Sequence, residues 1–393
     1  MEYFEEQKRI WAVLMRGGTS RGLYVMRGAL PADPTLRDRV ILRMYGSPDI
    51  RQIDGIGGAD SLTSKLAIIG PPTRRDADVD YTFAQVSITA AKVDYAGNCG
   101  NMSAGVGPFA IDQGLVDPVE PFTTIRIHQT NTRSIIIATV PVIHGKAAIA
   151  GDYHIDGVPG TGARIDLDFA DAAGGVTGKL LPTGNVLDRL NVPGIGILDA
   201  SIVDAGNPCV FVRASDLGIK GSETPAVIDG NLDLNDRLER IRGMVAAQLG
   251  FVERWSDAAQ ASPYVPFIVL VSPPTDYTDF VTGQTIRATQ VDLVARLLFM
   301  LKMHKTYPVT GTVCTGVAAK IPGTLVHDLL SFESRTQSSV SIGHPAGIIT
   351  IDTIVEKNDA DFKLVRATLS RTARRIMEGY VFIPWSTWDE TKH

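Results

Sequence analysis

The pattern of hydrophobic and polar positions predicts a chain built mostly from β-strands. Short segments rich in β-branched residues, several of them alternating between hydrophobic and polar, recur along the chain. These segments lie at residues 11–15, 23–26, 82–88, 124–128, 134–143, 201–203, 210–212, 267–271, 339–342 and 348–354.

Helical patterns are fewer than strand patterns. Residues 36–45 and 236–249 repeat hydrophobic positions with a helical period, and the long apolar run at 291–303 is also predicted to be a helix. A run of small apolar residues at 104–111 predicts a fourth helix. Because groups of strands are separated by single helices, the pattern favours the α+β class over a doubly wound parallel sheet.

Weak internal repeats indicate two related halves. The matching pairs are 103–106 with 314–317, 19–25 with 206–212 and, at the first spacing, Gly100 with Gly311 and Cys99 with Thr310. We therefore predict an N-terminal domain over residues 1–188 and a C-terminal domain over residues 189–393, with a site between them. The final segment could pack back on the first domain.

Length and composition restrict the functional classes. A chain of 393 residues is long for one simple core, which agrees with two domains. The formal net charge of -5 offers no basic surface for nucleic acid, and no stretch approaches the roughly 18 to 20 apolar residues of a membrane span. The few cysteines and scattered histidines form no disulfide framework or metal motif. We expect a cytoplasmic protein with reduced thiols, no metal or other cofactor, and neither nucleic acid nor membrane as a partner.

Residues 97–103, with the sequence GNCGNMS, are the strongest candidate for chemistry. They place the thiol of Cys99 where a Gly/Asn-rich turn leads into a predicted helix. The free N–H groups and positive dipole end of a helix favour a thiolate, which can act as a nucleophile or a base. The same N–H groups, at Gly100, Asn101, Met102 and Ser103, could hold a substrate carboxylate. An inert cysteine in a packed turn explains the local sequence equally well.

Two other loops carry groups suited to acid–base chemistry or anion binding. Lys65 ends a polar, glycine-rich loop and precedes an apolar strand, where it could act as an acid or base or form an ordinary ion pair. Residues 16–22, with the sequence RGGTSRG, offer hydroxyls, N–H groups and a cation at Thr19, Ser20 and Arg21, which suit an anionic ligand. The alternative for this segment is an ordinary hairpin turn.

Residues of the second half could face the same cleft. Asn207 lies in a Gly-Asn-Pro-Cys turn and could contact a carboxylate, whereas Cys209 is interpreted as a small core residue. His304 precedes the second-half helix, where Gly311 and Thr312 could donate N–H groups to a second carboxylate. A structural role remains the alternative for each of them.

Taken in order, these motifs resemble those of one enzyme family. They are RGGTSRG at 16–22, DGIGGADSLTSK at 54–65, GNCGNM at 97–102, GNPC at 206–209, GHPAG at 343–347 and RTARRIMEGY at 371–380. The chain resembles the PrpF family of 2-methylaconitate cis–trans isomerases, whose relatives include 3-methylitaconate Δ-isomerase, 4-oxalomesaconate tautomerase and aconitate isomerases. The resemblance covers nearly the whole chain, and it does not indicate which of these enzymes' substrates the protein uses.

The resemblance implies a diaminopimelate-epimerase-like fold. Such a fold has two similar α+β domains, each a curved sheet around a central helix, with the active site in the cleft between them. In the epimerases, two cysteines at the starts of the central helices act as acid and base. Here the matching positions are Cys99 and Thr310, so the resemblance implies that Lys65 is the partner of Cys99. Arg21 stands where relatives often carry lysine, and we expect it to keep an anion-facing or structural role.

We therefore predict a homo-oligomeric, cofactor-independent isomerase that acts on a small unsaturated di- or tricarboxylate. Lys65 and Cys99 remove and return an allylic proton through a dienolate that helix N–H groups stabilise. The predicted substrate-binding residues are Thr19, Ser20, Arg21, Ser64, Gly100, Asn101, Met102, Ser103, Asn207, His304, Gly311 and Thr312. The alternatives are a proline-racemase-like epimerase, which Thr310 disfavours, and a non-catalytic carboxylate-binding protein on the same fold.

Overall fold

Twenty-three strands and eight α-helices are formed by residues 6–358 and 361–388, the part of the chain that the computed structural model describes. The helices are α1 (Pro34–Tyr45), α2 (Gly100–Asp112), α3 (Pro225–Gly230), α4 (Leu232–Gln248), α5 (Ala258–Ala261), α6 (Val309–Ala319), α7 (Leu325–Leu329) and α8 (Phe332–Thr336). The strands are β1 (Gln7–Gly17), β2 (Ser20–Met26), β3 (Lys65–Gly70), β4 (Val79–Val86), β5 (Val93–Asp94), β6 (Phe122–Gln129), β7 (Ser134–Ile143), β8 (Lys146–Ala147), β9 (Tyr153–His154), β10 (Thr161–Gly162), β11 (Ile165–Asp168), β12 (Asp188–Val192), β13 (Gly196–Ala205), β14 (Asn207–Arg213), β15 (Phe267–Ser272), β16 (Tyr277–Thr278), β17 (Thr285–Ile286), β18 (Leu293–Phe299), β19 (Lys302–Met303), β20 (Ser339–His344), β21 (Gly347–Asn358), β22 (Asp361–Arg371) and β23 (Ala373–Pro384).

The two halves of the chain repeat one scheme of strand pairing. In the first half, the antiparallel pair β1–β2 is followed by a parallel β2–β3 pair, an antiparallel β3–β4 pair, a parallel β4–β6 pair and an antiparallel β6–β7 pair. In the second half, β13–β14, β14–β15, β15–β18, β18–β20 and β20–β21 follow the same order. The segments that resemble each other in sequence lie in β2 and β14 and in α2 and α6. The predicted α+β architecture with two similar halves is therefore confirmed.

The two halves are joined through their sheets. Strand β11 pairs with β7 and with β22, and β23 pairs with β1 from Gly17↔Ala373 to Gln7↔Pro384. The final long strand, β23, is thus hydrogen-bonded to β1, the first strand of the chain. The domain boundary between residues 188 and 189 stays a prediction.

Each half wraps its strands around a buried central helix. Every residue of α6 is buried, as is every residue of α2 from Gly100 to Ile111. Glycines allow this close packing, because a Cβ at Gly105 would overlap the Tyr24 hydroxyl and one at Gly316 would lie 2.7 Å from Ile351 Cγ2. The small residues after Cys99 are thus a requirement of packing, as well as of the site at the helix start.

Two amphipathic helices, one in each half, cover the sheet faces that do not contact the central helices. Helix α1 begins after Asp33, whose side chain accepts the Leu36 N–H, and it is followed by Gly46, which has the left-handed conformation at φ 70°. Helix α4 buries Leu238, Ile241 and other apolar residues against the second half. No helix within the described ranges is long and apolar enough to cross a membrane.

The prediction of a helix at residues 291–303 is wrong. Strand β18 occupies most of this segment and is buried along its whole length, and a turn through Met300 and Leu301 leads into β19. A strand that is buried on both faces has a continuous apolar run, which periodicity cannot distinguish from a buried helix. The ten predicted strand segments all lie in or overlap observed strands, and the other predicted helices correspond to α1, α2 and α4.

Candidate active site

Lys65 and Cys99 meet inside the first half, at the start of α2. Lys65 is the first residue of β3 and points to the same side as Ala67 and Ile69, towards the central helix. Cys99 is the residue immediately before α2. The Lys65 Nζ donates a hydrogen bond to Cys99 Sγ at 3.5 Å, and the two residues are only 2% and 7% exposed. The structure thus brings together the two residues that were predicted to transfer protons.

Gln85 fixes the position of the lysine ammonium group. It lies opposite Lys65 in the β3–β4 register, and its Oε1 accepts a hydrogen bond from Lys65 Nζ at 3.0 Å. Its Nε2 donates to the carbonyl oxygens of Ser61 and Ser64 at 3.2 and 3.0 Å, which orients the amide oxygen towards the lysine. The Ser64 hydroxyl donates to Gln52 Oε1, so Ser64 acts on the lysine only through its carbonyl group, which holds Gln85.

His304 lies close to the pair as a neutral side chain. Burial, followed by the positive charge of Lys65, lowers the pKa of His304 to about 3. Its Nδ1 accepts the Thr306 N–H at 3.2 Å, so the ring proton is assigned to Nε2. The rings of Phe83 and Phe299 lie 5.3 and 5.4 Å from Lys65 Nζ, and the Phe299 ring also packs against His304. A neutral histidine can donate or accept a hydrogen bond without adding a charge to this apolar wall.

Three buried tyrosines hold the backbone of the turn that leads into α2. Burial raises the pKa of each tyrosine well above its usual value, so each remains a hydroxyl donor. The hydroxyls donate to carbonyl oxygens of the turn and first helical residues: Tyr24 to that of Met102 at 2.6 Å, Tyr81 to that of Cys99 at 3.3 Å, and Tyr264 to that of Asn98 at 2.9 Å. The carbonyl groups are thereby fixed, while the first N–H groups of the helix keep their orientation along its axis.

Two of the predicted N–H donors are already used within their helices. The Ser103 N–H donates to the Cys99 carbonyl oxygen, and the Thr312 N–H donates to that of Pro308, at 2.9 and 2.8 Å. The prediction that these two groups are free is wrong, because only the first three N–H groups after a helix cap lack an intrahelical acceptor. The candidates that remain are Gly100, Asn101 and Met102 in α2 and residues 309–311, including Gly311, in α6.

The turn between β1 and β2 lies against the start of α2. The Thr19 N–H donates to Asn101 Oδ1 at 3.2 Å, and Asn101 Nδ2 donates to Thr19 Oγ1 at 3.1 Å. The Thr19 hydroxyl also hydrogen-bonds to that of Thr306 at 2.9 Å, which connects the turn with the second half. Ser20 is buried, and its hydroxyl has no hydrogen-bond partner among the described residues.

Arg21 lies away from this side of the sheet. Successive side chains of a strand point to opposite faces, and a Cβ at Gly58 would lie 2.9 Å from Arg21 Nη2. Arg21 thus packs beside the glycine-rich loop, whereas Ser20 points towards α2. This placement favours the structural role for Arg21 over an anion-facing one.

Asn207 bridges the starts of the two central helices. Its Oδ1 accepts the Asn98 N–H at 3.0 Å, while its Nδ2 donates to the Asn98 carbonyl oxygen and to Thr310 Oγ1, both at 2.9 Å. Since these contacts use both ends of the amide, a direct contact with substrate stays a prediction. Gly100 packs against Val309, so the first turns of α2 and α6 touch each other.

The other two cysteines are core residues. Cys209 and Cys314 are fully buried, and Cys314 Sγ donates to the Val203 carbonyl oxygen at 3.1 Å. Burial, followed by the neighbouring Cys314, raises the pKa of the Cys209 thiol well above its usual value. No group of three or more His, Cys, Asp or Glu side chains that could hold a metal ion occurs among the residues described.

A cavity of about 430 Å³ is lined in part by Gln85, the residue that accepts a hydrogen bond from Lys65 Nζ. Its wall includes Asp60 from the glycine-rich loop and Lys305 from the second half, which form an ion pair with each other. Burial opposes ionisation of Asp60, but the Lys305 ammonium and the Leu62 N–H hold the pKa of its carboxyl below the usual value. The ion pair therefore lies on the wall of a cavity that Gln85 also lines.

Sequence reasoning missed several residues of this region. Gln85 follows Tyr81 and Phe83 at alternating positions of β4, so a polar residue on an inward-facing row of the strand was the available signal. Tyr264 gave no comparable local signal, because Asn98, to which it donates, is distant in sequence.

The comparisons with known proteins agree with this geometry. A family model described as "PrpF protein" matches residues 7–384. The chain is 56% identical over 378 residues to a 3-methylitaconate isomerase from Eubacterium barkeri, covering 96% of this chain and 98% of that protein. It is 39% identical over 394 residues to a 2-methyl-aconitate isomerase from Shewanella oneidensis, covering 97% and 98% of the two chains.

Solved structures show the same fold. A methylitaconate-delta-isomerase crystal structure matches with a TM-score of 0.80 at 55% identity, and the match covers 98% of each chain. A hydroxyproline epimerase from Agrobacterium vitis matches with a TM-score of 0.58 at 11% identity, over 99% of this chain and 95% of that one. The second likeness bears on fold alone, and together the two confirm the predicted diaminopimelate-epimerase-like fold.

Proposed function

The chain belongs to the PrpF family, and we propose that it catalyses a cofactor-independent allylic proton shift in a small unsaturated di- or tricarboxylate. The enzyme is an isomerase of small unsaturated carboxylates, as its relatives over nearly the whole chain are. The observation that carries the proposed mechanism is the 3.5 Å contact between Lys65 Nζ and Cys99 Sγ at the start of a buried helix.

The proposed reaction uses one proton and no redox step. One member of the Lys65–Cys99 pair removes a proton from the carbon next to the double bond, and the C–H electron pair enters a dienolate. The N–H groups at the start of α2 stabilise the negative charge that develops on the substrate oxygen. Return of a proton to the far carbon moves the double bond, while its return to the first carbon after rotation gives cis–trans exchange.

Apolar surroundings support this chemistry. The buried Lys65 Nζ lies beside the rings of Phe83 and Phe299, and neutral His304 packs against Phe299. In a site from which water is excluded, fixed dipoles and hydrogen bonds act more strongly on a developing charge than they do in water. The proposal therefore assigns most of the rate to positioned proton transfer and electrostatic stabilisation.

3-Methylitaconate is the first substrate to test, because the Eubacterium barkeri relative is named for it. The purified protein should convert this acid, 2-methylaconitate or 4-oxalomesaconate to an isomer without added cofactor. Conversion that disappears in both Lys65→Ala and Cys99→Ala supports the proposal. If the wild-type protein binds these acids but converts none of them, the non-catalytic carboxylate-binding alternative is correct.

Two further expectations accompany this function. A cytoplasmic location with reduced thiols is supported by the three cysteines, all of which are free. A homo-oligomer is supported by large hydrophobic side chains that are exposed on β23, including Met377, Tyr380 and Phe382. Fractionation of cells and light scattering of the purified protein test these two expectations.

A further inference from the structure

One buried cation close to the turn between β1 and β2 has no ion-pair partner among the described residues. Arg371, the last residue of β22, is 4% exposed. Its Nη1 donates to the Ser370 carbonyl oxygen at 2.8 Å, and its Nε has no hydrogen-bond partner in the described part of the chain. Burial lowers the pKa of Arg371 to about 10, although Tyr153 and Asp156 raise it, so the group remains a cation at neutral pH.

The Arg371 side chain lies next to the turn that covers the start of α2. A Cβ at Gly18 would lie 3.2 Å from Arg371 Cδ and would overlap the Asn101 side chain. Gly18 has a φ of +50°, so a glycine is required there for its conformation and for these two contacts. Asn101 is the second residue of α2, two positions after Cys99. Arg371 and the first turn of α2 thus pack around the same glycine.

The end of β22 is fixed to this turn. Arg16 Nη1 donates to the Thr372 carbonyl oxygen at 2.9 Å, and the Gly18 N–H donates to the same oxygen at 2.9 Å. Arg371 is therefore held beside the turn by its own backbone, without any need for an ion pair. The arrangement keeps in place a cation that forms no direct ion pair with a described residue, although the Asp156 carboxylate acts on its charge.

Ser20 provides a second unsatisfied group beside the same helix. It is 2% exposed, and its hydroxyl has no hydrogen-bond partner within residues 6–358 and 361–388. It shares its side of β2 with Gly22 and Tyr24, which contact Met102 of α2. A buried hydroxyl without a partner, and a buried cation with an unsatisfied Nε and no direct ion pair, are costly to a folded protein unless a ligand satisfies them.

Arg296 shows what a structural buried arginine looks like in this protein. Its Nε donates to the Glu223 carbonyl oxygen at 2.8 Å, and its Nη1 donates to that of Ala295 at 2.9 Å. Its guanidinium also lies 5.0 Å from the centre of the Tyr277 ring. Arg296 is thus satisfied by the protein itself, in contrast with Arg371.

The two histidines near Arg371 are neutral, so they do not change the charge around it. His344 is buried, and burial followed by the charges of Arg296 and Arg371 keeps its pKa well below the usual value. Its Nδ1 accepts the Ala346 N–H at 3.2 Å. His304 is neutral for similar reasons. The acidic side chain that acts on Arg371 is that of Asp156, whose Oδ2 accepts the Ile348 N–H. Lys65 and Arg371 are thus two buried cations that pack near the start of α2, an arrangement that suits a ligand with more than one carboxylate.

We propose that Arg371 and Ser20 form a binding subsite for a second carboxylate of the substrate. This carboxylate is remote from the carbon whose proton Lys65 and Cys99 transfer. The proposal rests on the proposed function for the identity of the reaction, but binding of a dicarboxylate at this subsite can be measured without turnover. It implies selection for acids with at least two carboxylates.

The test compares two acids that differ by one carboxylate, mesaconate and crotonate, in binding measured by calorimetry. Wild-type protein should bind mesaconate more tightly, and Arg371→Met should weaken mesaconate binding by roughly 10- to 100-fold while crotonate binding stays the same, since a charged hydrogen bond is lost. The control, Arg366→Met on the same strand, removes a half-exposed arginine that pairs with Asp352 and should leave both affinities unchanged.

The unliganded stability separates binding from a structural role. Arg371→Met should unfold in urea at the same or a higher midpoint than wild type, because it removes an unpaired buried cation. A lower midpoint with an unchanged ratio of the two affinities would overturn the proposal, as would equal binding of both acids by the wild type. If Arg371→Met does not fold, Ser20→Ala should still reduce the mesaconate preference several-fold, and no reduction would overturn the subsite. Loss of the preference in a protein that turns over no acid would support the subsite and contradict the isomerase mechanism.

Discussion

The starts of α2 and α6 occupy equivalent places in the repeated fold, but they carry different chemistry. At the start of α2, Cys99 contacts Lys65, whereas its counterpart Thr310 accepts a hydrogen bond from Asn207. Duplication of the fold thus provides two buried helix starts that touch each other, of which one has an acid–base pair and the other has a structural hydroxyl. A proton that is removed on one side is therefore expected to return from that same side, which an allylic shift permits, whereas inversion of a stereocentre needs groups on both sides.

The largest expected effect comes from removing the pair at α2. Lys65→Ala or Cys99→Ala should lower kcat by about 10²-fold to 10⁴-fold, the usual contribution of a positioned acid or base. Cys314→Ala, a buried thiol within α6, is the matched control and should retain kcat within a few-fold. Steady-state assays and circular dichroism separate loss of chemistry from loss of fold. Comparable activity in all three variants would place the chemistry elsewhere.

The next effect concerns the residue that positions Lys65. Gln85→Leu removes the acceptor at 3.0 Å from Nζ and leaves the ammonium with the thiol as its polar neighbour. We expect kcat to fall roughly 10- to 100-fold, in line with about 1.5–3 kcal/mol for a hydrogen bond to a charged group. Gln85→Glu keeps an acceptor at this position and should lose less at neutral pH. An unaltered kcat in Gln85→Leu would show that the lysine is held by other contacts.

A smaller effect should appear in the pH dependence of stability. His304 has a folded pKa of about 3, below the ordinary 6.5, so the unfolded chain binds a proton that the folded chain does not. Above pH 6.5 the histidine is mostly neutral in both states and has little effect on the free energy of unfolding. As the pH falls below 6.5, the histidine of the unfolded chain takes up a proton, and the folded state is progressively destabilised. Between pH 6.5 and 5.0, wild type should lose about 1.5 kcal/mol more unfolding free energy than His304→Gln. Urea titrations at the two pH values measure this difference, and parallel losses in both proteins would refute the assignment.

The smallest effect is expected at the mirrored position. Thr310→Val removes the oxygen that accepts from Asn207 Nδ2, which should cost about 1 kcal/mol of stability while kcat changes less than about two-fold. Thr310→Ser, which keeps the hydroxyl, is the control for both measurements. A large drop in kcat for Thr310→Val alone would mean that α6 also supplies a group to the reaction, and the contrast between the two helix starts would fail.

Much of the site could be predicted from the sequence because its signals are local. A cysteine after a Gly/Asn turn and before small residues indicates a helix start, and the structure has Cys99 in that position. Lys65 stands where a glycine-rich loop becomes an apolar strand, and β3 begins there. Their proximity followed from the family resemblance, since no local pattern brings residues of different elements together.

The parts that failed depend on contacts across the fold or on exact helix ends. The buried strand β18 has the same composition as a buried helix, and only its neighbours β15 and β20 decide between them. The N–H groups of Ser103 and Thr312 are used because each lies four residues after its helix cap. The unsatisfied state of Arg371 is a property of what surrounds it in three dimensions, which its sequence motif does not show.

Proton exchange in deuterated water tests the central claim most directly. A substrate that the wild-type enzyme isomerises, with 3-methylitaconate as the first to try, should gain deuterium at the allylic carbon or in the product, as followed by proton NMR. Thr310→Val should exchange at close to the wild-type rate, whereas Lys65→Ala and Cys99→Ala should show almost no exchange. Exchange that continues in both Lys65→Ala and Cys99→Ala would contradict the assignment of proton transfer to this pair.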